Sequence, residues 1–184
     1  MKQSLRLPII WMSIIIIYYT APFVGGQLMT QNLLMKLSGM RMSDFYITGT
    51  RRGLGQALSV FYDTVDTLED CDVFINCKHD GFQQVELLYK AAELNKRIIN
   101  IGSNSPDQRG KGIRTYPTEK AALDYANDQL FYLGIDTTIV RFGYFDSPRV
   151  AHIDKPKMTV SYCVTVIDWI INQPHRVKDI TITP

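Results

Sequence analysis

Cysteine and histidine are scarce in this sequence, three of each in 184 residues. Cys71, Cys77 and Cys163 cannot pair completely, and none stands at metal-ligand spacing from His79, His152 or His175. Neither a disulfide scaffold nor a metal centre is therefore expected, and the thiols read as small apolar groups of a reducing, cytoplasmic compartment. An excess of either charge is also missing: the net charge of +2 gives no field that would recruit nucleic acid. Low-complexity tracts and internal repeats are absent, and a 46% hydrophobic fraction excludes a disordered chain.

The first forty residues differ from the rest. Between Arg6 and Lys36 there is no charged residue, and Leu7 to Gly26 is an apolar run of the length a bilayer core requires. Membrane anchor, leader peptide and dispensable extension ahead of an internal start at Met42 all fit residues 1–41. Pro8, Pro22 and the Gly25-Gly26 pair weaken a straight helix there. Residues 42–184 form the expected functional domain.

Within it, β-prone runs alternate with helical stripes. Strands are expected at 45–47, 72–76, 97–101, 137–142 and 179–183, with 63–66 at most a remnant strand. Helices are expected over 56–62, 82–95, 117–133 and 158–172, the last with Trp169 on its apolar side. This alternation predicts an α/β fold: a doubly wound, Rossmann-like parallel sheet, reduced in strand number.

Three segments carry chemistry. Thr48-Gly49-Thr50-Arg51-Arg52-Gly53-Leu54-Gly55 follows a strand and opens a helix, where glycines let the backbone approach a phosphate and the helix amides favour its charge. Tyr116 and Lys120 lie one helical turn apart, and Pro117 puts them in the first turn. A fixed cation beside a phenol favours phenolate, so the pair can act as general acid and base. Ser103 ends a strand, at the edge where open α/β sheets bind ligands. Each segment also has a plain structural reading: a tight turn, a packed tyrosine beside a lysine, a turn serine.

Taken in order, these segments resemble the short-chain dehydrogenase/reductase family. Asn76 matches one residue of the family's Asn-Asn-Ala-Gly motif, and Tyr116 lies thirteen positions beyond Ser103, the family's usual spacing. Phe142 to Ser147 is similar to the loop beside the nicotinamide. The resemblance implies an oxidoreductase passing a hydride between a nicotinamide cofactor and a small carbonyl or alcohol. Ser103, Tyr116 and Lys120 would be its catalytic residues. Gly49, Thr50, Arg51, Arg52, Gly53, Leu54, Gly55, Asn76, Tyr116, Lys120 and Gly143 would bind the cofactor. Arg52 implies NADP(H) ahead of NAD(H), and the helices at 82–95 and 117–133 imply a homodimer.

Departures from the family pattern keep a second reading open. Only residues 56–71 separate the glycine turn from the strand at Asp72, where the family inserts two strands and a helix. Glu69, Asp70 and Asp72 are the crowded candidates for the acidic residue expected after the glycines. Lys78 or His79 falls nearest the family's relay asparagine. The alternative is a non-catalytic nucleotide-binding or scaffold protein that has lost part of the adenine pocket.

Overall fold

The computed structural model describes residues 43–107 and 113–184; the apolar run at 7–26 lies outside them. Short β-branched and aromatic runs form the strands β1 (Phe45–Ile47), β2 (Val73–Asn76), β3 (Arg97–Ser103), β4 (Thr137–Phe142) and β5 (Asp179–Ile182). Among the described residues these make one sheet, parallel throughout, in the order β1-β2-β3-β4-β5. β2 is buried along its whole length, and β3 and β4 nearly so, as strands covered on both faces must be.

The helices are α1 (Gly53–Phe61), α2 (Gln83–Glu93), α3 (Tyr116–Tyr132) and α4 (Val160–Ile171). α1 and α4 cover one face, where Leu54, Leu58, Cys163 and Ile167 pack on Val73, Ile75, Ile99 and Val140. α2 and α3 cover the other, where Leu88, Ala91, Leu123 and Ala126 pack on Phe74, Ile98 and Ile139. The strand residues alternate between the two clusters because successive side chains leave opposite faces of a pleat. α1 starts at Gly53, three residues earlier than its apolar stripe suggests, so the glycine turn itself supplies the first helical turn. α4 opens on Thr159, whose hydroxyl accepts the Tyr162 amide at 3.2 Å.

One expectation is corrected. Trp169 is 50% exposed, because the buried stripe of α4 runs through Cys163, Val164, Val166, Ile167 and Ile170 and leaves position 169 facing outward.

A sixth segment joins the sheet at its edge. The Phe45 amide donates to Asp63 O at 3.1 Å and Phe45 O accepts the Val65 amide at 2.9 Å, making a parallel bridge to Thr64 on the side of β1 away from β2. The chain thus leaves β1 through α1 in one direction across the sheet, then returns past β1 to build β2–β5 in the other. Ligand crevices of open α/β sheets form where the strand order reverses in this way. β4-α4-β5 crosses in the same direction as β2-α2-β3 but on the opposite face, so its hand is opposite to that of the other crossovers. Among the described residues, no helix is long and apolar enough to cross a membrane.

Candidate active site

The carboxyl ends of the parallel strands bring the chemistry-bearing segments to one edge. At the end of β1, the Thr48 hydroxyl accepts the amides of Cys77 and Lys78, each at 2.9 Å, and ties the glycine turn to the end of β2. Gly49 has φ +79° and sits so near the Lys78 backbone that a side chain there would be both strained and crowded. A Cβ on Gly55 would collide with the carbonyl of Gly49, so α1 crosses the end of β1 as closely as a backbone can. Arg52 precedes the helix in extended conformation and gives no side-chain cap, and the first turn of α1 carries no acid. Its amides are therefore available to an anion.

A cleft of about 480 Å³ opens beside this turn, lined on one side by Tyr46, Thr48, Gly49 and Thr50 and on the other by Thr64, Val65 and Asp66. Asp66 is the acid that counting from the glycines missed. Reading instead from the end of the bridge segment finds it, since a residue just past Thr64 in parallel register reaches the ligand edge. Arg51 and Arg52 are exposed. Gly53 faces Ser147 across 3.7 Å, measured from where its Cβ would be, so the loop after β4 lies over the start of α1.

The second half of the site gathers on Tyr116, the first residue of α3. The Lys120 Nζ lies 5.8 Å from its ring centroid and the Arg149 guanidinium 5.1 Å, while the His79 ring stands edge-on at 4.7 Å. Among the described residues no hydrogen bond reaches the Tyr116 hydroxyl. His79 Nε2 lies 2.6 Å from Glu119 Oε2. Hydrogen bonds from Thr115 and His79 hold the Glu119 carboxyl below the usual range, so it is the acceptor and His79 Nε2 carries the proton. His79 is thus fixed by a side chain on the helix that begins with Tyr116.

Lys120 is buried, at 3% exposure, and donates to Gln84 Oε1 and to Ile101 O, both at 2.7 Å. Burial pulls its ammonium down to about 8, and the Arg149 charge pushes the same way. Gln84 lies on the buried stripe of α2 with Leu88, Ala91 and Ala92. A polar residue on an apolar stripe was the signal that could have marked it. From Gln84 a polar seam continues under the sheet: Asn76 Nδ2 donates to Gln84 O and Asn100 Oδ1, and Asn100 Nδ2 to Asn127 and Thr137. Asn76 is fully buried in this seam, and its Oδ1 has no partner among the described residues.

Ser103 ends β3 opposite Phe142 of β4, next to Gly143. Its Oγ accepts the Ser105 amide at 3.1 Å, which leaves the hydroxyl proton for another acceptor. The space where a Gly143 side chain would sit is bounded by Asn104, Thr183 and Pro184.

Neither a protein-family model nor a curated protein matches the chain. Solved structures do. A 4-hydroxyisoleucine dehydrogenase complexed with NADH superposes with a TM-score of 0.58 at 13% identity, covering 77% of this chain and 97% of that one. A short-chain dehydrogenase from Burkholderia cenocepacia J2315 in complex with NADP gives 0.58 at 15%, covering 76% and 87%. An apo SCOR enzyme from Clostridium thermocellum gives 0.56 at 16%, covering 78% and 91%.

The fold is that of the short-chain dehydrogenases. Among the described residues, the sheet beyond β1 consists of the single bridge at Thr64.

Proposed function

We propose that this protein is a nicotinamide-dependent oxidoreductase that interconverts a small carbonyl and its alcohol, with Tyr116 as general acid and base. The reading rests on one observation: an unbonded phenol flanked by Lys120, on the sheet edge that also carries the glycine turn and its cleft. The residues present suit the cofactor. Gly55 lets α1 start directly against the Gly49 carbonyl, so the turn is tight; the α1 amides are uncapped, and the cleft beside the turn reaches to Asp66. In this reading the turn from Gly49 to Gly55 holds the pyrophosphate, and Asn76 and Gly143 belong to the cofactor's surroundings through the strand ends that carry them.

When bound, the cofactor supplies or accepts the hydride. Tyr116 gives its hydroxyl proton to the substrate oxygen during reduction. The Lys120 ammonium lowers the cost of the phenolate left behind. Ser103 donates its free hydroxyl proton to the same oxygen as charge develops there. The expected loss in Tyr116→Phe is about 10²–10⁴-fold in turnover with cofactor binding retained. Equal turnover in the variant overturns the assignment. Cofactor binding without turnover of any carbonyl by the wild-type protein favours the non-catalytic alternative, for which the single-bridge edge at Thr64 speaks.

Two features divide NADP(H) from NAD(H). Arg51 and Arg52 offer charge to a 2′-phosphate from the exposed side of the turn. Asp66 lines the cleft itself, where a carboxylate accepts ribose hydroxyls and repels a phosphate; Lys78 lines it too, but its ammonium is held by Asp80 at 2.8 Å. The position of Asp66 inside the cleft favours NAD(H), against the expectation drawn from Arg52. Fluorescence titration with both cofactors, repeated on Asp66→Ser and Arg52→Ala, decides the matter: tighter NADPH binding in the wild type overturns the preference.

A homodimer through α2 and α3 belongs to the same reading. Phe82, at the N-cap of α2, and Tyr89 within it are exposed seven residues apart, and Tyr125 and Tyr132 are likewise exposed on α3. Tyr89 OH donates to Gln129 Oε1 at 2.6 Å, so the two pairs adjoin in one aromatic patch fit for a second copy. The free thiols, two of them buried, suit a reducing cytoplasm.

A further inference from the structure

Arg149 stands where the oxidoreductase reading does not need it. It belongs to a single 3-10 turn, Pro148–Val150, in the loop after β4, and its guanidinium carbon lies over the Tyr116 ring, 5.1 Å from the centroid. Among the described residues it forms no ion pair. The nearest acid along α3, Glu119, is occupied by His79 and Thr115. The charges that face the Tyr116 ring from the loop and from α3 are thus both positive, Arg149 and Lys120. Lys120 is buried and spends two of its donors on Gln84 and Ile101. Arg149 is exposed and keeps its planar fork of donors for a ligand.

A guanidinium can meet a carboxylate in two parallel hydrogen bonds, and the cation–π contact with Tyr116 holds this one beside the phenol before the ligand arrives. The Tyr116 hydroxyl must meet the reacting carbonyl oxygen. A carboxylate one or two carbons further along the same small molecule then falls beneath the fork.

We infer that the substrate is a small oxo acid, or the hydroxy acid it becomes, anchored by its carboxylate on Arg149. The inference rests on the oxidoreductase reading above. During reduction the carbonyl carbon gains the hydride, its π electron pair passes to oxygen, and that oxygen takes the Tyr116 proton; the nicotinamide is oxidised. The carboxylate keeps its charge throughout.

The test compares pyruvate and acetoacetate with their methyl esters, which present the same carbonyl without the charge. For the wild-type full chain, kcat/KM is expected to favour the acids by about 30-fold or more. In Arg149→Met the acids lose about 10–100-fold, chiefly through KM, as expected for the loss of hydrogen bonds to a charged group. The esters and the cofactor KM change less than about threefold, and Arg149→Lys recovers part of the loss. Equal use of acid and ester overturns the inference. So does a loss in Arg149→Met that falls on both alike or on the cofactor KM, which would assign the guanidinium to the pyrophosphate. Should no carbonyl turn over, the oxidoreductase reading falls first. Calorimetry with succinate then judges the carboxylate site separately: saturable binding lost in Arg149→Met supports it, and binding unaltered by the substitution, or none, overturns it.

Discussion

A lysine sealed from water keeps its charge at a cost, and in Lys120 that cost has a measurable sign. Its ammonium titrates near 8 when folded, against 10.5 for the free side chain. Below pH 8 both states hold the proton and the burial penalty stands in full. Above pH 8 the folded chain sheds the proton first, so stability climbs with pH until the unfolded chain follows near 10.5. Between pH 7 and 9 the expected gain relative to Lys120→Met is about 1 kcal/mol, read from urea midpoints of the two proteins. Burial raises the thiols of Cys71, Cys77 and Cys163, so each contributes an opposite trend as the unfolded thiols ionise near pH 9, and the comparison with Lys120→Met cancels it. A difference between wild type and Lys120→Met that stays flat over this interval would mean that Lys120 is solvated.

At the scale of elements, the segment around Thr64 is the smallest part of the sheet on which the cleft depends. Val65→Pro deletes the amide that donates to Phe45 O. Loss of one such bond costs about 1 kcal/mol, or roughly 3–5 °C in Tm for a domain of this size. If Asp66 and its neighbours form the cofactor's far wall, NADH affinity should drop tenfold or more in the same variant; unchanged affinity would detach this segment from the site. The bridge also shows what was legible in the sequence. β-branched and aromatic runs bounded by glycine or polar residues located the five strands, and in β2, β3 and β4 burial on both faces leaves little choice of residue. The pair Tyr116 and Lys120 was legible because helical spacing is a local rule. Asp66 and Gln84 were not, since each acquires its place through a partner far along the chain: Asp66 through β1 and Gln84 through Lys120. Trp169 misled for a related reason, as an apolar side chain on an apolar helix does not say which way it turns.

At the scale of the whole molecule, Tyr125 and Tyr132 are 78% and 76% exposed on a helix whose other face is core. Replacing both by glutamate sets charges against their copies across a two-fold axis. Sedimentation velocity should then report a monomer where the wild type is a dimer, with Tm little changed; a wild-type monomer would retire the interface. The arrangement of the strands bears on how the molecule is made. Each strand from β1 to β5 pairs with the one that follows it in sequence, so most sheet contacts join neighbours along the chain and folding should be fast for a parallel sheet. Nothing in the sheet waits for its last strand: as the nascent chain emerges from the ribosome, each newly released strand finds its template already assembled.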